Sequence, residues 1–452
     1  MARLNMLNLS FGPRTHEGAP ARSISTELQL RRSVLACLLW EEQFYEDGVE
    51  IAGRIAELVP KVDAERVAAL AVEAREKMKL RHAPLLVVRE MARHATHRKL
   101  VAETLARVIQ RADELAEFVA IYWKDGRVPL SAQVKKGLAA AFPKFDEYAL
   151  AKYDRGGPIK LRDVLFLAHA KPRDAAQAEV WKRLIAEELT VPDTWEVALS
   201  SGADKREAWE RLLREQKLGA LALLRNLRNM REAGVEEDLV HAALRSMNAG
   251  RVLPFRFLAA ARYAPQWEEA LEAAMFRALA GRTGKLAGHT VLLVDVSGSM
   301  ESPLSARSEM RRTDAAYGLA ILLREVAEKV TIYTFSNQTQ RVPARRGMAL
   351  RDALDKSQAH AGTYLGAALK QVEGEVRVGN GQEGYDRMVV ITDEQSHDSV
   401  PAPKGEGYVI NVASAQNGVG YGAWTHIDGW SEAVIDYITE LGACGAADHS
   451  VG

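Results

Sequence analysis

The chain has 452 residues, 27% charged and 47% hydrophobic, with 60 basic side chains against 60 acidic ones. That length points to two or three globular domains, and that composition excludes a disordered or collagen-like chain. Two distant cysteines, Cys37 and Cys444, without CxxC or Cys/His spacing, exclude a disulfide framework and a zinc site.

In chain order, "MARLNMLNLSFGPRTHEG" lacks the apolar core of a signal peptide. No window reaches the roughly 18 uninterrupted apolar residues of a membrane span. A cytoplasmic protein without membrane contact is expected. Apolar residues then recur at three- and four-residue steps. Helices are expected over "LQLRRSVLACLLWEEQFY", "IAGRIAELV", "AERVAALAVEAREKM", "APLLVVREMARH", "RKLVAETLARVIQRADELAEFVAIYW" and "SAQVKKGLAAAF". "LRDVLFLAHA", "AQAEVWKRLIAEEL", "REAWERLLREQ", "GALALLRNLRNMREAG", "EEDLVHAALRSM" and "WEEALEAAMFRAL" continue the series. Short breaks such as "KDGRVP", "DRGGP" and "KPRD" separate them. A dozen amphipathic helices joined by short turns predict an irregular, HEAT-like α-solenoid. His94 and His97 lie three apart with no HExxH pattern and are expected at the surface. "WEEQFYEDG" reads as packing.

"GRTGKL" lacks the first glycine and the final Ser/Thr of a phosphate loop and reads as an interdomain linker. Beyond it the period changes. "HTVLLVDVS", "KVTIYTFS", "DRMVVITD" and "GYVINVA" read as buried strands. "DAAYGLAILLREVAE", "TYLGAALKQVEGEV" and "SEAVIDYITEL" read as helices. That alternation predicts a doubly wound, mostly parallel α/β sheet. "GNGQEG" follows a helix and precedes a strand, the reverse of a dinucleotide fingerprint, and reads as a loop. The division expected is a helical domain over 1–284 and an α/β domain over 285–452. Charge divides similarly: residues 289–452 carry 14 Lys+Arg against 21 Asp+Glu, and residues 1–288 the balancing 46 against 39. A basic first part suits polyanionic partners, although such a surplus is also ordinary surface charge.

In a parallel sheet, ligands bind beyond the carboxyl ends of the strands. "LLVDVSGSM" places Asp295, Ser297 and Ser299 there, "RMVVITDEQS" adds Asp393, and "HAGTYLGAAL" brings Thr363 on a turn before a helix. Two carboxylates and three hydroxyls, without cysteine or histidine, suit a hard cation: Mg2+, or else Mn2+ or Ca2+.

These three motifs together resemble the metal-ion-dependent adhesion site of a von Willebrand factor A domain. The resemblance implies that Ser297, Ser299 and Thr363 coordinate the ion directly or through water. Asp295 and Asp393 complete the shell, and a partner's carboxylate takes a further position. The helical part narrows the family. "THEGAPA", "LRRSVLACLLWEEQFYEDG", "LRHAPL", "LRDVLFLAHAKP", "GALALLRNLRNM" and "RVLPFRFLAAARYAP" resemble, in order, the TROVE module of Ro autoantigen proteins. The tail "YVINVASAQNGVGYGAWTHIDGWSE" resembles bacterial members. The resemblance implies a helical ring bridged by the A-like domain. It further implies Y-like noncoding RNA on the outside, single-stranded 3′ ends of misfolded RNA in the cavity, and the exoribonuclease polynucleotide phosphorylase as a tethered partner. A monomer is expected.

The stretch "KYDRGGPIKLRDVLFLAHAKPR" gathers Lys152, Arg155, Lys160, Arg162, His169, Lys171 and Arg173 within 22 residues. His169 lies seven residues after Arg162, which predicts one shared helix face. The family's Y-RNA contacts match Lys152, Arg155 and His169. The chain is one residue shorter than the family pattern between the lysine and the arginine, so Lys160 or Arg162 can stand in for Arg155. His169 beside "KP" is alternatively a helix C-terminal cap.

No Ser/His/Asp or Cys/His arrangement suggests turnover, so an RNA-binding scaffold rather than an enzyme is expected. The alternative is a metal-dependent protein-adhesion scaffold. A metal-dependent nuclease would usually show more carboxylates than two at its metal.

Overall fold

The computed structural model describes residues 25–35, 48–154, 157–200, 204–250, 252–280, 286–303, 310–379, 384–413, 423–428 and Ile438. "WEEQFYEDG" before its last glycine, the "GRTGKL" linker before Leu286, the centre of "GNGQEG" and nearly all of "SEAVIDYITEL" lie outside them.

Among the described residues the first part holds sixteen α-helices and no strand. They begin with α1 (Thr26–Leu35), α2 (Gly48–Leu58), α3 (Ala64–Glu76), α4 (His82–Arg93), α5 (Arg98–Val108) and α6 (Asp113–Tyr122). Next come α7 (Ala132–Ala141), α8 (Glu147–Tyr153), α9 (Leu161–Ala168), α10 (Ala175–Ala186) and α11 (Trp195–Ser200). The last are α12 (Lys205–Arg214), α13 (Ala220–Glu232), α14 (Glu237–Ser246), α15 (Pro254–Tyr263) and α16 (Glu268–Ala280). Several starts are set by a side chain that accepts the first free N–H groups: Asp63, Ser131, Asp146, Asp174 and Asp204. α15 instead opens on Pro254, which needs no N–H partner.

One expectation is corrected. The helix expected over residues 98–123 is two, α5 and α6, broken where Ile109 turns extended. Glu114 holds the break open. One of its carboxylate oxygens accepts the N–H groups of Gln110 and Arg111 at 2.8 and 3.0 Å. The other takes the buried guanidinium of Arg75 at 2.7 Å, and Arg75 also donates to the Val108 carbonyl at 2.9 Å.

The second part contains β1 (Leu286–Asp295), α17 (Arg312–Val326), β2 (Ala327–Phe335), β3 (Thr339–Val342), α18 (Gly347–Asp355), α19 (Leu365–Gly379), β4 (Arg387–Thr392), β5 (Glu406–Asn411) and β6 (Thr425–Asp428). The sheet order is β3-β2-β1-β4-β5-β6, parallel except for edge strand β3. Alternate residues of each strand enter opposite layers. Leu292, Val294, Ile332, Val389 and Ile391 pack with α17 and α18, whereas Val291, Leu293, Tyr333, Val390 and Val409 pack with α19. This is the doubly wound architecture expected, and its order reverses between β1 and β4. The helical array also closes on itself: α1 lies against β6, at the far edge of the sheet from β3.

Candidate metal centre and basic surface

The reversal point puts the carboxyl ends of β1 and β4 side by side. Asp295 ends β1 fully buried and bends the chain back on itself. One carboxylate oxygen accepts the Ser297 N–H at 2.8 Å, and the other accepts the Thr392 hydroxyl at 2.6 Å. The bend sets the hydroxyls of Ser297 and Ser299 3.3 Å apart. The Gly298 N–H donates to the Ala361 carbonyl at 2.7 Å, which ties this loop to the one carrying Thr363. Ser336, at the end of β2, receives the Ala361 N–H and donates to the Gly362 carbonyl. The His397 N–H reaches the Thr363 carbonyl at 2.8 Å, so the third loop is stitched to the second. Asp398 caps α19 through the N–H groups of Gly366 and Ala367, at 2.8 and 2.7 Å. A Cβ on Gly366 would lie 2.1 Å from the Ser399 carbonyl, so only glycine fits that first turn.

Asp295, Ser297, Ser299, Thr363 and Asp393 thus sit on three interlocked loops, and all but the half-buried Ser299 are buried. Burial first, and then the charge of Asp393, push the Asp295 carboxyl up to about 7, against hydrogen bonds from Ser297 and Thr392. Asp393 offers Oδ2 to the guanidinium of Arg312 at 3.0 Å, a pair buried on both sides. Its Oδ1 is buried with no partner among the described residues. An unsatisfied buried carboxylate oxygen is costly unless a cation meets it. Two carboxylates and three hydroxyls around such an atom fit a hard divalent ion.

Close by, His360 places Nδ1 2.5 Å from a Glu301 carboxylate oxygen and Nε2 3.1 Å from the Asp355 carbonyl, and Arg311 also pairs with Glu301. Glu301, Asp355 and His360 could crowd a cation. Their mutual bonds instead make a clasp between the Ser299 loop and the Thr363 loop. Neither this clasp nor Arg312 and Ser336 was anticipated, because no short spacing announces them.

On the helical side, Lys152 ends α8 with its ammonium 5.9 Å from the ring of exposed Tyr148 and 5.6 Å from that of Tyr153. Lys160 and Arg162 converge on Glu187, the latter at 2.8 Å, and hold its carboxylate below the usual range. Lys152, Asp154, Lys160, Glu187 and Val191 line a cleft of about 390 Å³. Lys171 is exposed, and Arg155 lies outside the described residues. The expectation for His169 needs correcting. α9 ends at Ala168, and His169 closes it in the left-handed region at φ 53°, so helical periodicity does not aim its exposed ring. The expectation for His97 also fails. Its ring is buried between Thr96 and the Val62 carbonyl, at 2.8 and 3.1 Å, while His94 is half-buried.

Comparison with known families identifies two domains. Residues 182–278 match the TROVE domain, and residues 290–395 match the von Willebrand factor type A domain. The chain therefore joins a TROVE domain to a von Willebrand factor type A domain. The fold is similar to that in the "Crystal structure of Deinococcus radiodurans RO (RSR) protein". That chain is 19% identical, with a TM-score of 0.62 over 90% of this chain and 97% of that one. The matched A domain contains all five candidate ligands and Arg312, whereas the Lys152–Lys171 stretch precedes the matched TROVE residues. Among the described residues, no helix is long and apolar enough to cross a membrane.

Proposed function

We propose that this protein is a member of the Ro family and a cytoplasmic, monomeric scaffold in RNA quality control and decay. It binds Y-like noncoding RNA on the outside of its helical ring and single-stranded 3′ ends of misfolded RNA in the cavity. Residues 1–284 form the ring and residues 285–452 the metal-binding domain. The observation that carries the reading is Lys152 and Lys160 lining one cleft, with Arg162 paired to Glu187 of the same cleft and with His169, Lys171 and Tyr148 exposed. Cations neutralise phosphates, and an exposed ring beside a cation offers a base a stacking face. Arg155, outside the described residues, is a further RNA contact proposed from the sequence alone. A second anion-seeking group supports a separate strand site. Arg256 is half-buried and has no carboxylate partner among the described residues; burial first, and then Arg225 nearby, lower its pKa.

Asp295, Ser297, Ser299, Thr363 and Asp393 would hold Mg2+, or Mn2+ or Ca2+. The ion would supply an electrophilic position for a carboxylate of a partner. Polynucleotide phosphorylase is the partner proposed for decay, tethered through the Y-like RNA. The reading includes no catalytic turnover.

The test separates the two RNA surfaces. Asparagine tolerates the left-handed backbone of His169, so His169→Asn with Lys152→Ala removes two contacts at little cost to folding. Charge-assisted contacts of about 1.5–3 kcal/mol each translate into a loss of tens-fold or more for Y-like RNA. A single-stranded 3′ tail should stay within a few-fold. Equal losses for both RNAs in filter-binding titrations mean one shared surface and overturn the two-site reading. An absence of binding to either RNA by the unaltered protein overturns the function itself.

A further inference from the structure

The metal site contains a cation of its own. Arg312 is the first residue of α17 and only 1% exposed, with its N–H on the Ser302 carbonyl at 3.0 Å and its guanidinium on Asp393 at 3.0 Å. That anchor binds it between the end of the serine loop and the aspartate of β4. A guanidinium does not lose its proton in a protein, so the charge is permanent. It occupies one oxygen of Asp393 and leaves the other buried without a hydrogen-bond partner among the described residues.

We infer that Arg312 is a resident counter-cation that stabilises the ion-free site and weakens its hold on a divalent ion. Without an ion, Arg312 offsets part of the repulsion between two buried carboxylates that would otherwise oppose folding. With an ion, two carboxylates face three positive charges, so the loaded site carries an excess of one. Repulsion between the ion and a permanent charge a few ångströms away in a buried site is strong. The site is therefore built to stay folded when empty and to load only at high free ion. The inference rests on the metal reading proposed above.

The test is titration of the full-length protein with Mn2+ at pH 8, followed by calorimetry or by the electron paramagnetic resonance of free Mn2+. Arg312→Gln should bind tenfold or more tightly than the unaltered protein, and Arg312→Lys, which keeps the charge, should stay within about threefold of it. At pH 8 the unaltered protein should gain only a modest rise in melting temperature from chelator to Mg2+, whereas Arg312→Gln should melt lower in chelator and show a clearly larger rise in Mg2+. If the unaltered protein binds Mn2+ and Arg312→Gln binds no more tightly, the inference falls and the metal site stands. If neither binds, both fall. Arg312→Lys as tight as Arg312→Gln would show that charge is not the cause. An Arg312→Gln protein still unfolded at saturating Mg2+ would show a structural strut that no ion replaces. Either result overturns the inference.

Discussion

Lowering the pH from 8 to 6 should loosen the metal site by about one order of magnitude. The reason lies in Asp295, whose carboxyl is pushed up to about 7 by burial and by Asp393. A ligand must shed its proton before an ion can take its place. With that pKa, about nine-tenths of Asp295 is ionised at pH 8 and about one-tenth at pH 6, so apparent affinity falls about tenfold. An aspartate at the ordinary 3.8 would give no change over that range. The sign for stability follows from the same shift. A carboxyl whose folded pKa is raised favours folding in acid, and that advantage is lost as pH climbs from about 4 to about 7. The ion-free protein should therefore lose stability through that window, and the rise in melting temperature on adding Mg2+ should be larger at pH 8 than at pH 6. Mn2+ titrations at pH 6, 7 and 8, with melts in chelator and in Mg2+, measure both. An affinity that is flat from pH 6 to 8 would refute the placement of Asp295 in the shell or the cause assigned to its shift.

Two further perturbations address the helical array. Glu187→Gln removes the carboxylate that holds Lys160 and Arg162, so Y-like RNA should bind several-fold tighter near 0.1 M salt, with a steeper salt dependence. Filter binding at several salt concentrations checks this, and an unchanged affinity would mean those two cations do not meet the RNA. Gly318→Val tests the seam between α15 and α17, where a Cβ on Gly318 would lie 2.8 Å from the Phe255 backbone nitrogen. Overpacking of that kind costs about 1–3 kcal/mol or more, readable as a lower urea midpoint, and full stability would mean the two helices are not so close.

How much of this was legible in the sequence depends on whether the cause is local. Asp295, Ser297 and Ser299 could be read because a continuous aliphatic strand carries them, and a strand's direction fixes where its last residues emerge. Thr363 and Asp393 followed from the same alternation of strand and helix. Arg312 could not be read, because its partner lies 81 residues away and "RRTD" looks like any helix start. The break between α5 and α6 escaped for a similar reason. Ile109 and Ala112 keep the apolar repeat and are fully buried, while the residue that holds the break pairs with Arg75, 39 positions earlier. His97 lacks a sequence partner because its partner is the carbonyl of Val62. β3 and β6 have four residues each, too few for a periodic signal to show.

The apolar cores divide the chain elsewhere than the change of secondary structure does. One cluster runs from Leu30 to Leu184 and joins α1 through α10. The other begins at Trp209 in α12 and passes without interruption through α13–α16 into α17 and one face of the sheet. Polar contacts cross the same seam. Arg262 pairs with Asp314, Glu272 accepts the Met348 N–H at 2.7 Å, and Arg351 reaches Glu268 at 3.3 Å. The α/β domain is therefore not hung from the array by a linker, because helices of the array complete one of its layers. Among the described residues, the other junction, α1 against β6, involves a four-residue edge strand and no shared core cluster. Closure of the chain on itself thus rests on one deep junction and one shallow one. The deep junction includes α17, whose first residue, Arg312, reaches Asp393 at 3.0 Å, so one helix both builds the seam with α15 and touches the candidate metal site.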